Sequence, residues 1–128
     1  MDIDIFYKNV TQSDKFDKNS FVGKIIYNMT WSDIDYWELD CILIEISEYY
    51  MDKILPKEIF AGIICIYLDV IGIQNKLELY ITNKCYKIDE NIPDILDRFE
   101  RLNFFLKNLV FKQTIENIDF FYMPKEIL

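Results

Sequence analysis

The 128-residue sequence contains no histidine. This absence removes the commonest general base and the commonest zinc ligand, and with them every Ser–His or Cys–His catalytic pair. The sequence also lacks a glycine-rich phosphate loop and the short motifs of serine hydrolases, zinc proteases and calcium-binding loops. Acid pairs such as Asp33 and Asp35 are better explained as a solvated helix face than as a metal site or a glycosidase dyad. We therefore predict a protein that is not an enzyme and holds no metal or cofactor.

Cysteine, glycine and proline are scarce, with three of each. The cysteines (Cys41, Cys65 and Cys85) are odd in number and lack Cys-x-x-Cys spacing, so neither a disulfide framework nor a zinc site is indicated. The few glycines and prolines argue against long flexible linkers. We predict one compact domain over residues 1–128, a length that is sufficient to bury a core.

Long apolar runs and a basic start are missing as well. The longest stretch without a charge, residues 59–68, has ten residues and is too short to span a bilayer. The chain opens with acids, where a signal peptide needs basic residues followed by an apolar run. We expect a cytoplasmic protein.

Acids outnumber bases by 22 to 14, and the formal net charge is −8. Residues 1–53 carry 11 of the acids and only 5 of the bases, so the excess is concentrated in the N-terminal part. A negative surface repels nucleic acid and anionic membranes and is steered toward a basic partner. The blander interpretation is that acidity serves solubility alone.

The N-terminal half contains two predicted helices. Alternating Ile3, Ile5 and Tyr7 indicate a short strand, which a polar loop follows. A helix is predicted behind a Ser20 cap, and a longer one over Asp33–Lys53, capped by Thr30 or Ser32. At 100° per residue the long helix has one apolar face and an opposite acidic face. The apolar face comprises Tyr36, Leu39, Ile42, Leu43, Ile46 and Tyr50, and the opposite side comprises Glu38, Cys41, Glu45, Glu48 and Asp52. Trp37 flanks the acids, and we expect one of Trp31 and Trp37 to be buried and the other exposed.

The C-terminal half contains two further apolar segments. Residues Pro56–Ile71 are apolar almost all round, which indicates a buried central helix, with a buried strand as the alternative. Alternation in residues 76–82, followed by 85–88, predicts a small hairpin. A helix is predicted over Pro93–Lys112, and an edge strand near Pro124. The fold class is therefore a mainly α, compact helical bundle with a minor β-hairpin, and an α+β fold is the alternative.

Residues 19–46, with acids between Gly23, Trp31, Tyr36, Trp37 and Leu39, resemble the N-terminal half of a known family. These are the small immunity proteins of bacterial polymorphic-toxin systems, including contact-dependent growth inhibition. Residues 98–111 resemble their charged-then-apolar C-terminal helix, and the likeness covers about two thirds of the chain. It implies a cytoplasmic protein, without enzymatic activity, that binds and neutralises one cognate toxin domain.

The predicted function is thus inhibition of a basic, nuclease-type toxin through an acidic surface, without nucleic acid or membrane as partner. The predicted partner-binding residues are Asp33, Asp35, Trp37, Glu38, Glu45, Glu48 and Asp52. Two alternatives stay open. One is a small structural or regulatory protein that self-associates as a homodimer through exposed aromatic side chains. The other is a phage-type inhibitor that mimics nucleic acid with its carboxylates.

Overall fold

A computed structural model describes residues 1–83 and 95–111 of the chain. The elements of these residues follow in chain order: α1 Asp4–Tyr7, α2 Phe21–Asn28, β1 Thr30–Ser32, α3 Asp33–Tyr49, α4 Lys57–Ile71, β2 Ile81–Asn83 and α5 Ile95–Val110. A short 3-10 helix, Leu77–Leu79, precedes β2. The predicted mainly α fold is confirmed.

Helix α2 begins where its cap predicts. The Ser20 hydroxyl accepts a hydrogen bond from the Gly23 amide at 3.0 Å. The helix ends at Asn28 and is capped by Met29, whose φ of 47° lies in the left-handed region. A Cβ on Gly23 would lie 2.5 Å from the carbonyl oxygens of Asp17 and Lys18. Glycine therefore allows the loop before α2 to pass directly against the helix.

Helix α3 carries the predicted apolar face into the core, where Tyr36, Leu39, Leu43 and Ile46 are fully buried. The helix ends at Tyr49, one turn earlier than predicted, and residues 50–53 form a turn. The prediction that one tryptophan is exposed is wrong. Both are buried because their rings join an aromatic cluster with Phe21 of α2 and Tyr36 of α3, in which ring centroids are 4.7–5.7 Å apart.

Helix α4 confirms the helical interpretation of Pro56–Ile71, although Pro56 lies at the cap position just before the first turn. Ile63 and Ile66 are fully buried, whereas Phe60 and Leu68 are 42% and 63% exposed. The prediction of burial on all sides is therefore wrong, because neighbouring elements cover only one side of the helix in the part of the chain that is described.

Two strand predictions need correction. Residues Ile3–Tyr7 contribute a helical turn rather than a strand, since the amides of Phe6 and Tyr7 both donate to the Ile3 carbonyl at 3.0 and 3.1 Å. In the predicted hairpin, the first half is the 3-10 helix, and β2 begins only at Ile81. Strand β2 pairs in parallel with β1, in the register Trp31 to Thr82. Residues 85–88, predicted as the second hairpin strand, lie outside the described residues.

Helix α5 packs against α3 and α4 and buries Phe99, Leu102, Phe105 and Leu106. It confirms the predicted Pro93–Lys112 helix over Ile95–Val110, while the ends of that prediction and the edge strand near Pro124 lie outside the described residues.

Candidate functional site

The acids of α3 divide into a buried set and a set at the surface. Asp33 and Asp40 are 1% and 0% exposed, whereas Glu45 and Glu48 lie at other angles around the helix and are exposed. The two sets therefore have different roles: the buried acids contribute to the core, and the exposed acids form part of the surface.

Asp40 forms a two-pronged ion pair with Arg101 of α5. Arg101 Nε donates to Asp40 Oδ2 at 2.6 Å, and Nη2 donates to Oδ1 at 3.1 Å. Tyr36, one turn earlier on α3, directs its hydroxyl to the carbonyl of Arg98 at 3.0 Å and lies 3.5 Å from Asp40 Oδ2. Burial raises the pKa of Asp40 above its ordinary value, and the hydrogen bond and positive charge of Arg101 partly offset that rise.

A second buried pair, Asp33 and Arg98, lies about two turns earlier on α3 and one turn earlier on α5. Arg98 Nε is 3.1 Å from Asp33 Oδ1, and the Trp31 indole N–H donates to the same oxygen at 3.1 Å. The Trp37 ring lies between the pairs, with the guanidinium carbons of Arg98 and Arg101 5.6 and 5.9 Å from its centroid. Asp33 and Trp37 thus fasten α3 to α5, and both side chains are buried.

The remaining predicted residues lie at or near the surface. Asp35 is half-buried and forms an ion pair with Lys24 of α2 at 2.5 Å. Glu38 is half-buried and forms an ion pair with Lys8, which follows α1. The other predicted acids, Glu45, Glu48 and Asp52, are exposed.

A groove of about 400 Å³ runs between the N-terminal segment and the outer side of α3. Its lining residues are Asp2, Ile5, Ile34, Trp37, Glu38, Cys41, Ile42 and Glu45. On α3, Ile34, Glu38, Cys41 and Glu45 follow one another at helical spacings of three and four, which places them in one stripe. The groove therefore combines an aliphatic floor with carboxylates from both of its walls.

The N-terminal wall is held by buried contacts. The Asn9 side chain accepts from the Val22 amide at 3.0 Å and donates to the Ile5 carbonyl at 3.0 Å, which ties α1 to α2. The Phe6 ring lies over Gly62 of α4, where a Cβ would come within 2.7 Å of it. A wall fixed in this way presents Ile5 in a constant position, so the groove is a built feature of the fold.

Such a groove suits a basic side chain. Carboxylates at the rim attract a cation, and an aliphatic floor accommodates the methylene stem of lysine or arginine. Sequence reasoning missed Asp2, Ile5 and Ile34, because the N-terminal residues were interpreted as a strand and Ile34 carries no polar group. Glu38 and Glu45 were identified from their helical spacing alone.

Within residues 1–83 and 95–111 no group of three or more acid or cysteine side chains is arranged to hold a metal ion. In the same residues no helix combines the length and apolarity needed to cross a membrane. The predicted absence of a cofactor stays a prediction.

A protein-family model described as Immunity protein 41 matches residues 8–121, most of the chain. The match begins at Lys8, so it includes all of α3 and excludes the groove residues Asp2 and Ile5. Comparisons with curated proteins and with solved structures give no match.

Proposed function

The chain belongs to the Immunity protein 41 family, and from that premise we propose that it neutralises a basic, nuclease-type toxin domain by binding it through the outer face of α3. Family membership supports an immunity function against a toxin. The acidic surface, the nuclease chemistry of the toxin and inhibition by binding rather than by catalysis are the proposed parts.

The observation that supports this proposal is the division of the α3 acids. Asp33 and Asp40 pair with buried arginines, but Glu45 and Glu48 are exposed and form no ion pair with any residue that the structure describes. Exposed carboxylates in a stripe, on a chain with a net charge of −8, attract a basic partner over a distance of about one Debye length and speed its association.

The proposal extends to the setting of the protein. A nuclease toxin acts where nucleic acid is, so we infer a bacterial cytoplasmic protein whose partner is delivered by contact-dependent growth inhibition or a related system. The corresponding toxin domain would be the variable C-terminal part of a large secreted protein encoded directly upstream. Neither nucleic acid nor a membrane is a partner in this proposal.

Self-association is the second candidate, and one observation favours it. The outer sides of α4 and α5 form an apolar groove of about 230 Å³, lined by Ile64, Tyr67, Leu106, Lys107, Val110 and Phe111. Exposed apolar surface of this kind is typical of subunit contacts. Sedimentation velocity of the purified protein distinguishes the two: a monomer that binds the toxin domain supports immunity alone, and a dimer supports the second candidate as well.

Two charge-reversal variants of equal net charge test the acidic face. We expect Glu45→Lys/Glu48→Lys to associate with the toxin domain at least about tenfold more slowly at low salt, because steering is lost and like charges then face the partner. The control, Asp14→Lys/Glu100→Lys, reverses two exposed acids outside α3 and should retain most of the parental rate. Stopped-flow association across a salt series measures both.

The deficit should shrink as salt screens the charges. Both variants should melt near the parent, since exposed substitutions usually change the free energy of unfolding by less than about 0.5 kcal/mol. Equal association rates for the two variants would show that the α3 acids are only a solvated face. Absence of any complex with the toxin domain would refute the proposed partner.

A further inference from the structure

One cation is already bound at the edge of the acidic groove. The Lys8 ammonium group forms an ion pair with Oε1 of Glu38, which lines the groove. Lys8 follows Ile5 by three residues, and Ile5 lies in the groove wall, so the lysine stands one turn further along the same wall. Glu38 thus already pairs with an ammonium group of its own chain, although Lys8 is not itself a lining residue of the groove.

This ion pair is partly exposed to solvent, although Glu38 Oε1, the oxygen that meets Lys8, is itself covered. The side chains of Lys8 and Glu38 are 29% and 39% exposed, in contrast to the fully buried pair of Asp40 and Arg101. An ion pair in contact with water contributes little to stability and exchanges partners readily. Lys8 is therefore held at Glu38 weakly enough to be replaced.

Building on the proposed function, we propose that Lys8 occupies the position of a toxin cation, and that an arginine of the toxin displaces it when the complex forms. The partner segment is an arginine flanked by apolar side chains. The guanidinium group of this arginine pairs with Glu38, and the apolar side chains on either side of the arginine contact the aliphatic floor formed by Ile5 and Ile34. Lys8 is a competitor for the site and holds the Glu38 carboxylate at the groove until the toxin arrives.

Charge complementarity and shape select arginine. Asp2, Glu38 and Glu45 surround the groove with three carboxylates, and Ile34 is 58% exposed beside them. Arginine is less strongly hydrated than lysine, pairs with a carboxylate through two parallel hydrogen bonds, and buries its stem on apolar surface. A toxin arginine thus gains more at this groove than the Lys8 ammonium group does.

The decisive variant is Lys8→Met, which keeps the aliphatic stem and removes the competing charge. We expect it to bind the toxin domain about twofold to fivefold more tightly than the parent, the range that a solvated ion pair supports. The matched control is Lys15→Met, since Lys15 pairs with Asp4 outside the groove and its loss changes the net charge equally. Isothermal titration with a catalytically inactive toxin domain measures both affinities.

A greater gain for Lys8→Met than for Lys15→Met supports displacement. Equal gains would mean that only overall charge matters, and weaker binding by Lys8→Met would mean that Lys8 itself is part of the interface. Either result overturns the inference while the proposed function stands.

A second measurement does not depend on the toxin. A capped Leu-Arg-Leu peptide, titrated into isotopically labelled protein, should shift the amide resonances of Ile34, Glu38 and Glu45 more in Lys8→Met than in the parent. A capped Leu-Gln-Leu peptide should leave them in place. If the toxin domain does not bind, the proposed function fails. The peptide comparison still decides whether Lys8 competes with arginine for Glu38. Equal shifts with both peptides would refute it.

Discussion

At the scale of single residues, Asp40 and Arg101 depend on each other unequally. An arginine keeps its proton in proteins, whereas a carboxylate in the interior can take one up and become neutral. The raised pKa of Asp40 means that the folded protein holds this proton more tightly than the unfolded chain does. The contribution of Asp40 to the free energy of unfolding is therefore greatest below its ordinary pKa and falls as the pH rises through the folded value.

Removing either partner should destabilise the protein, with different pH dependence. We expect Arg101→Met to cost about 3 kcal/mol or more at pH 8, where a buried carboxylate loses its cation. The loss should be smaller at pH 5, because without Arg101 the pKa of Asp40 rises further and protonation relieves the buried charge. Asp40→Asn removes the titrating group and leaves the guanidinium without that carboxylate, so its cost should be no greater at pH 8 than at pH 5. Urea unfolding of the three proteins at the two pH values measures these differences.

A pH-independent deficit in Arg101→Met would show that Asp40 stays ionised without its arginine. Arg101→Lys serves as the control, since it keeps a positive charge while removing the two-pronged geometry.

At the scale of elements, the glycine in α2 has no room for a side chain, whereas the glycine at the end of α4 has ample room. The Gly23 Cα faces the carbonyl oxygens of Asp17 and Lys18, while a Cβ on Gly72 would meet nothing within 4 Å. Gly72 also has φ −64° and ψ −18°, a conformation open to any residue. The same substitution should therefore have opposite signs at the two positions.

We expect Gly23→Ala to destabilise the protein by about 1–3 kcal/mol, because the loop must move away from the helix. Gly72→Ala should be neutral or stabilise by up to about 1 kcal/mol, because alanine restricts the unfolded chain. Thermal and urea unfolding check both. Equal effects would mean that the loop before α2 yields without cost.

The apolar periodicity of the sequence predicted the helices, but it did not predict which helices contact one another. The spacing of Leu39, Leu43 and Ile46 identified the buried face of α3, because a helix repeats every 3.6 residues whatever packs on it. Three alternating residues at Ile3–Tyr7 are too few to distinguish a strand from a helical turn.

The fate of the acids could not be read locally. Asp33 and Asp40 look like their exposed neighbours in the sequence, and their partners Arg98 and Arg101 lie more than 60 residues away. The i,i+4 spacing of Asp94–Arg98 and Asp97–Arg101 favours pairs within the C-terminal helix and gives no sign of a partner on α3. Charge pairs across a fold depend on topology, which a single sequence does not reveal. The exposure of Glu45 and Glu48 could be predicted, because it follows from their spacing on α3 and depends on no distant partner.

At the scale of the whole molecule, the net charge of −8 opposes folding through self-repulsion. Raising the salt from about 20 mM to about 500 mM screens exposed charges but hardly affects the buried pairs. We therefore expect the melting temperature to rise by a few degrees over this range, an effect on the order of 1 kcal/mol. Calorimetry across a salt series measures the rise.

The variant Glu45→Gln/Glu48→Gln, with less charge to screen, should show a smaller rise than the parent. A melting temperature that falls with salt would mean that exposed ion pairs such as Lys15–Asp4 outweigh the repulsion.

The alternation of buried and exposed acids along α3 has a consequence for how the protein can evolve. Asp33 and Asp40 pair with buried arginines of the same molecule, whereas Glu45 and Glu48 face outward. Under the proposed function, a lineage can exchange the outward residues, one codon at a time, without disturbing the inward ones. Recognition can then follow a changing toxin through generations in which the fold stays the same, because the residues for recognition and the residues for folding occupy different faces of one helix.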